Sequence, residues 1–156
     1  MKFSDIIVED SIIPELKARD KEGVINELAE AICLYEPSVD KAALVRVLLE
    51  REKLGSTGIG EGVAIPHGKL SSVSRPLVSF GRSLQGLDFD SMDAQPAHLF
   101  FLLVAPENSA GIHLKTLAKI AKALKSSSFR RQLIKAGSRK ELYAVIVQTD
   151  EESETV

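Results

Sequence analysis

The residues best suited to chemistry lie in one stretch, Gly55–Leu70, which reads GSTGIGEGVAIPHGKL. Its glycine density excludes a regular helix and lets a ligand or partner approach the main chain closely. The apolar run 63–65 predicts a short buried strand, and Pro66 should end it because proline has no amide donor for a sheet. His67 follows at once, where we expect a rigid strand to stop and a pliable turn to begin. This position would leave the imidazole accessible.

An accessible imidazole can act as a general base, a metal ligand or a nucleophile. A turn that happens to carry a histidine is the simpler alternative, and the residue pattern leaves it open. The three histidines, His67, His98 and His113, lack the spacing of a zinc protease and have no cysteine ligands nearby, which disfavours a metal site. His98 opens an apolar run and is more simply a strand-end residue.

Other reaction types fit the sequence poorly. The glycines do not have the full spacing of a dinucleotide fingerprint, and a strand-like run follows them where a phosphate-binding loop requires a helix. No G-x-S-x-G elbow is present. The remaining chemical role for His67 is that of a nucleophile, and a phosphorylated imidazole would need cationic or neutral donors around its three phosphoryl oxygens. Arg51 and His113 are the candidate groups around the phosphoryl oxygens, and Ser56 and Thr57 either donate hydroxyl hydrogen bonds there or only shape the turn.

Helices with one apolar face should position these residues. Asp20 is the predicted N-cap of a helix that ends near Tyr35, and a second helix is predicted from about Asp40 to Lys53. Arg51 lies at the C-terminal end of the second helix, where it either complements the helix dipole or is held beside the glycine-rich loop. The third predicted helix, from about Gly111 to Lys125, has His113 at the start of its buried stripe, where it is either a site residue or an ordinary partly buried histidine.

The other predicted elements complete an alternation of helices with a few apolar strands. Ala97–Ala105 is almost entirely apolar, which is typical of a central strand covered on both faces. An edge strand within 11–16, a strand over 77–84, a helix over 128–136 and a last helix that begins with a Ser138–Glu141 capping box are also predicted. We expect residues 150–156 to form a frayed acidic tail. The pattern favours an α/β fold with helices on both faces of a sheet, in one domain over residues 1–156.

Composition limits the classes of function. The chain has 156 residues, 44% of them hydrophobic, and its net charge of −2 argues against a general nucleic-acid binder. No apolar run is long enough for membrane insertion, and the N-terminus lacks a secretory pattern, so we expect a cytoplasmic protein. The single cysteine, Cys33, excludes an internal disulfide and is interpreted as a small buried hydrophobe.

Two sequence segments together closely resemble the enzyme IIA domains of the fructose–mannitol class, which belong to the bacterial phosphoenolpyruvate-dependent phosphotransferase system. The segments are REKLGSTGIG at 51–60 and AIPHGK at 64–69, and HLKTL at 113–117 is a shorter second match. The resemblance covers nearly the whole chain and is greatest to the nitrogen-regulatory branch. It implies a three-layer α/β/α sandwich around a mixed sheet.

The resemblance also implies roles for individual residues. His67 matches the histidine that accepts a phosphoryl group from a phosphorylated HPr-type carrier protein, so it would form a transient phosphohistidine. His113 matches a second histidine that contacts the phosphoryl group, and Arg51 matches an arginine near the site. Ser56, Thr57 and Gly68 are weaker candidates for support of the phosphoryl pocket. No cofactor or metal is implied.

The sequence leaves two functions open for such a phosphocarrier. A chain of this length has no room for a membrane transporter or a IIB domain, so it passes phosphate to a separate IIB component or regulates a downstream target according to its phosphorylation. Phosphorylation would add about −1.5 to −2 charges at His67, enough to alter a docking surface. The motif does not separate regulation from sugar transport. A binding module that keeps the fold without phosphorylation is a third alternative.

Overall fold

The computed structural model describes residues 1–154, and its centre is a mixed sheet. Over the described range the sheet has six strands, in the order β1-β5-β6-β3-β2, and β4 also pairs with β6. β5 and β6 are antiparallel, whereas β3 and β4 both run parallel to β6. The strands are β1 Ile12–Ile13, β2 Gly58–Gly60, β3 Val63–Ala64, β4 His67–Leu70, β5 Leu77–Leu87 and β6 Ala97–Pro106.

Helices cover both faces of this sheet. A short 3-10 turn at Glu9–Ser11 connects the first helix to β1. None of the helices in the described part of the chain is long and apolar enough to cross a membrane. The helices are α1 Phe3–Ile6, α2 Lys21–Tyr35, α3 Lys41–Lys53, α4 Ala110–Leu124, α5 Ser127–Lys135 and α6 Arg139–Glu154.

β6 separates two hydrophobic cores because its successive side chains point to opposite faces. Phe100, Leu102 and Val104 pack with apolar residues of α2 and α3. Phe101 and Leu103 pack on the other face with residues of α1, α4, α5 and α6. All five side chains are fully buried. The predicted central strand and the three-layer α/β/α arrangement are therefore confirmed.

The segment that contains His67 is one strand interrupted at Pro66. β3 pairs with the first half of β6, and β4 pairs with its second half, where His67 lies opposite Leu103. Pro66 lacks an amide donor, but its carbonyl oxygen accepts a hydrogen bond from the Leu103 amide at 2.9 Å. The prediction that His67 begins a pliable turn is therefore wrong, because strand pairing resumes at His67.

Two of the predicted helix starts are confirmed by their caps. The Asp20 carboxylate accepts a hydrogen bond from the Gly23 amide at 2.8 Å, and the Asp40 carboxylate accepts from the amides of Ala42 and Ala43. These caps satisfy amide groups that have no partner within the first turn of a helix.

The start of the last helix differs from its prediction. The Ser138 hydroxyl accepts a hydrogen bond from the Glu141 amide at 3.1 Å, but the Glu141 carboxylate accepts from the Gly137 amide at 2.7 Å. Only one half of the predicted capping box is therefore formed, because the Glu141 carboxylate accepts from the amide of Gly137 rather than from the amide of Ser138.

The chain end also differs from its prediction. Asp150 is buried and accepts hydrogen bonds from the amides of Phe3 and Ser4, and Lys119 Nζ lies 3.4 Å from its carboxylate. The prediction of a frayed tail from Asp150 is wrong at this residue, since these contacts hold it against α1 and the helix continues to Glu154. Residues 155 and 156 lie outside the described range.

Candidate phosphoryl-acceptor site

Three elements meet around an open cavity of about 340 Å³ at the C-terminal end of β6. They are the last turn of α3, the start of β4 and the first turn of α4. β4 is in register with the end of β6, and α4 begins shortly after β6 ends, so the sheet brings these segments together. The cavity is lined by Arg51, His67, Gly68, Lys69, Ala110, His113 and Leu114.

The ring of His67 is held in one orientation by its own backbone. Nδ1 lies 2.7 Å from the carbonyl oxygen of Ile65, and a carbonyl can only accept, so Nδ1 carries the proton. Nε2 therefore keeps its lone pair. Burial lowers the pKa of His67, the hydrogen bond to Ile65 partly opposes this change, and the positive charge of Arg51 lowers the pKa further. The half-buried ring is consequently neutral and nucleophilic at neutral pH.

His113 lies directly beside His67. The two ring centroids are 5.4 Å apart, with 55° between the ring planes. The residue is only 8% exposed, and its buried Nδ1 has no hydrogen-bond partner among the described residues, so packing holds the ring. Burial lowers the pKa of His113, and repulsion by the protonated form of His67 and by the positive charge of Lys69 lowers the pKa further. The neutral ring thus borders the cavity at the first turn of α4.

Arg51 is held at the cavity by the glycine-rich loop. Its Nη1 donates a hydrogen bond to the carbonyl oxygen of Gly55 at 2.8 Å. A guanidinium group has five N–H donors in a planar fork, so the group retains donors for an anion. Of the two interpretations of Arg51, the structure supports the one in which it lies beside the loop.

Ser56 and Thr57 shape the loop, and neither side chain lines the cavity. The Ser56 hydroxyl donates to the carbonyl oxygen of Phe89 at 2.7 Å. The Thr57 hydroxyl donates to the carboxylate of Glu52, which also accepts from the Thr57 amide at 3.1 Å. Glu52 is buried and lies 3.1 Å from Lys21 Nζ, so a charged network fixes the loop. Within the described residues, both hydroxyls are thus occupied away from His67.

His98 does not belong to this site. It lies at the opposite end of β6, with Nδ1 3.0 Å from the carbonyl oxygen of Ser83. Its ring packs closely against Gly86, where an added Cβ would come within 2.6 Å of the ring. The part of the chain that the structure describes contains no group of three or more His, Cys, Asp or Glu side chains suited to a metal ion.

Comparison with known proteins decides the family. Residues 5–149 match the family model described as "Phosphoenolpyruvate-dependent sugar phosphotransferase system, EIIA 2". The chain belongs to the EIIA 2 family. The resemblance found in the sequence is thereby confirmed.

Its relatives include regulatory and sugar-specific proteins. A nitrogen regulatory protein of Bradyrhizobium diazoefficiens is 40% identical over 94% of this chain and 95% of its own length. The fructose-specific EIIABC component of Bacillus subtilis is 37% identical over 96% of this chain, but the chain spans only 24% of that component. The crystal structure of the nitrogen regulatory protein IIA-Ntr from Neisseria meningitidis has a TM-score of 0.85 and 34% identity, and the match covers 92% of this chain and 98% of that one.

Two residues that line this candidate site are not among the sequence-predicted site residues. Lys69 lies two residues after His67 in β4, so the two side chains share one side of the strand. A turn at His67 would not have this alternation, so the sequence prediction does not include Lys69. Leu114 is 64% exposed next to His113, and an exposed leucine at the rim of a cavity suits contact with a protein. The candidate site thus combines an oriented imidazole, cations and an apolar rim.

Proposed function

We propose that this chain is a phosphocarrier that accepts a phosphoryl group on Nε2 of His67 from a phosphorylated HPr-type protein. We further propose that it acts as a phosphorylation-dependent regulator of a downstream target in the cytoplasm. The observation that carries the proposal is the hydrogen bond from Nδ1 of His67 to Ile65, which leaves Nε2 as the nucleophile next to Arg51 and His113.

The proposed step needs little from the protein beyond position and charge. The Nε2 lone pair of His67 forms a bond to phosphorus while the bond between the donor and phosphorus breaks. The donor leaves with the electron pair of the broken bond. Because Nδ1 keeps its proton and its bond to Ile65, the phosphorylated ring retains the same orientation. Arg51 and Lys69 are the cations that line the cavity, and they would stabilise the charge on the transferred group. His113 would contact the phosphoryl group from the side of α4.

Regulation follows from the change in charge at the rim of the cavity. Phosphorylation adds about −1.5 to −2 charges beside the exposed side chains of Lys69 and Leu114. A partner that docks on this surface would therefore bind the two forms with different affinities. The nitrogen regulatory relative, which this chain matches almost end to end, supports a regulatory role.

A sugar-specific role is the second candidate, and the fructose-specific relative favours it. In that case phospho-His67 would pass its phosphoryl group to a separate IIB component. The phosphorylated chain is mixed with a purified fructose-type IIB domain to test this role. Transfer of the phosphoryl group to IIB at a rate comparable with phosphorylation of the chain by its donor would support the sugar-specific role. Absence of phosphate on IIB would favour regulation.

Phosphorylation of the purified chain tests the proposal. Incubation with phosphoenolpyruvate, enzyme I and an HPr-type protein should add one acid-labile phosphate, detected by intact mass. His67→Ala should abolish the modification. His98→Ala is the matched control, since it removes a half-buried histidine of the same central sheet outside the cavity. Equal labelling of His67→Ala and the unmodified chain would refute the assignment.

The role of His113 requires a separate measurement. His113→Ala should keep the far-ultraviolet circular dichroism of the folded chain and slow phosphoryl transfer, because one wall of the cavity is removed. Unchanged transfer kinetics would remove His113 from the mechanism while leaving His67 as the acceptor.

A further inference from the structure

A second cavity lies along α5 and shares no lining residue with the cavity that contains His67. One face of α5 places Phe129 and Leu133 in the core. The opposite face borders an open cavity of about 340 Å³, whose other wall is the tip of the β2–β3 hairpin and the start of β6. The α5 residues that line it recur at helical spacing and include Ser127, Arg130, Arg131, Ile134 and Lys135.

The charge of this cavity is strongly positive. Arg130, Arg131 and Lys135 line it, and the only carboxylate in its described lining is that of Glu61. Arg131 and Lys135 have no carboxylate within 4.0 Å in the portion of the chain covered by the structure. The surrounding sequence has the same character, since residues 108–140 contain nine Lys or Arg and no Asp or Glu.

Arg130 is fixed in position between two elements. Its Nη1 donates to the carbonyl oxygen of Leu124 at 2.5 Å, and its Nη2 lies 3.7 Å from the carboxylate of Glu61. The Glu61 side chain is 78% exposed, so this ion pair is weak and an incoming anion can replace it. A neighbouring cavity of similar volume is also lined by Glu61 and Arg130, so this ion pair lies between the two spaces.

We propose that this cavity binds a small organic dianion, such as a polycarboxylate or a phosphate ester. Two guanidinium groups and an ammonium group suit paired anionic oxygens, and the side chains of Leu99 and Ile134 provide an apolar wall for the carbon skeleton. No aromatic side chain other than the ring of His98 lines the described cavity, which disfavours stacking of nucleic-acid bases. The proposal does not depend on phosphorylation of His67.

Titration of the full chain with succinate and, separately, with glycerol 3-phosphate tests the proposal, because the first is a dicarboxylate and the second is a phosphate ester without a carboxylate. Backbone amide shifts are followed by NMR at constant ionic strength, with chloride as the compensating anion. Saturable shifts at residues 61–62, 98–99 and 127–135 are expected with at least one probe. The two probes distinguish carboxylate from phosphate recognition.

Matched variants distinguish binding at a specific site from general attraction of anions to basic residues. Arg131→Ala with Lys135→Ala should weaken binding by about tenfold or more, because charge-assisted hydrogen bonds are lost. Glu61→Gln should strengthen binding, since it releases Arg130. Lys122→Ala with Lys140→Ala removes the same charge from exposed positions outside the cavity and should leave the affinity within about twofold. Absence of saturable shifts with both probes, or equal weakening by the two double variants, would overturn the proposal.

Discussion

Replacing Glu52 with glutamine should destabilise the chain although the two side chains have the same shape. The carboxylate is 4% exposed and interacts with the Thr57 amide, the Thr57 hydroxyl and Lys21. Hydrogen bonds to a charged group contribute roughly 1 kcal/mol more than neutral ones, so three such contacts give a loss of about 3 kcal/mol. Lys21 keeps a second partner, Asp90, at 3.2 Å, which limits the loss.

Urea unfolding followed by circular dichroism measures this effect. With a slope of about 2 kcal/mol/M, the unfolding midpoint of Glu52→Gln should fall by about 1.5 M. Glu50→Gln is the control, because Glu50 lies exposed on the same helix and its substitution should change stability by less than about 0.5 kcal/mol. Similar midpoints for the two variants would refute the reasoning that a buried charged network holds the glycine-rich loop.

Further predictions concern the acceptor site. Arg51→Lys should slow phosphoryl acceptance by about tenfold, because an ammonium group lacks the planar fork, and an unchanged single-turnover rate would contradict this. The folded-state pKa values of His67 and His113 lie below the 6.5 of the unfolded chain. The contribution of these residues to the free energy of unfolding should therefore be fully present above pH 6.5 and should decline as the pH falls through the lowered values. In urea titrations across this pH range, the free energy of unfolding of His67→Gln should decline less steeply with falling pH than that of the unmodified chain. Equal pH dependence in the two proteins would contradict this role of His67. Gly68→Val should cost about 1–3 kcal/mol, because a Cβ there would lie 2.7 Å from a methyl group of Val47; an unshifted urea midpoint would show that this contact relaxes freely.

The sequence predicts the layers of this fold well because they depend on local patterns. Ala97–Ala105 is apolar at nearly every position, which is typical of a strand covered on both faces. Asp20 and Asp40 precede helices with apolar stripes, and both cap those helices in the structure. Arg51, His67 and His113 could be nominated for one site because their residue types suit one chemistry, and the structure brings all three to one cavity.

What the sequence did not predict depends on contacts between distant segments. Pro66 was expected to end a strand, but the partner strand β6 continues past it, so pairing resumes at His67. Asp150 is polar and near the chain end, yet it accepts hydrogen bonds from the first helix. Glu52 continues the buried spacing of Leu44 and Leu48, which is a signal that sequence reasoning could have used to find its role.

The separation of charge along the chain has a consequence for how partners approach. Residues 108–140 carry +9, and because the whole chain has a net charge of −2, the rest carries −11. Positive charge is therefore concentrated on α4, α5 and the start of α6, and this positive pole includes the helix that carries His113. A donor protein bearing an anionic phosphoryl group would be turned towards this pole before contact, which raises the association rate at low ionic strength. Added salt should slow the encounter more than the chemical step, because the Debye length falls to about 10 Å at 0.1 M.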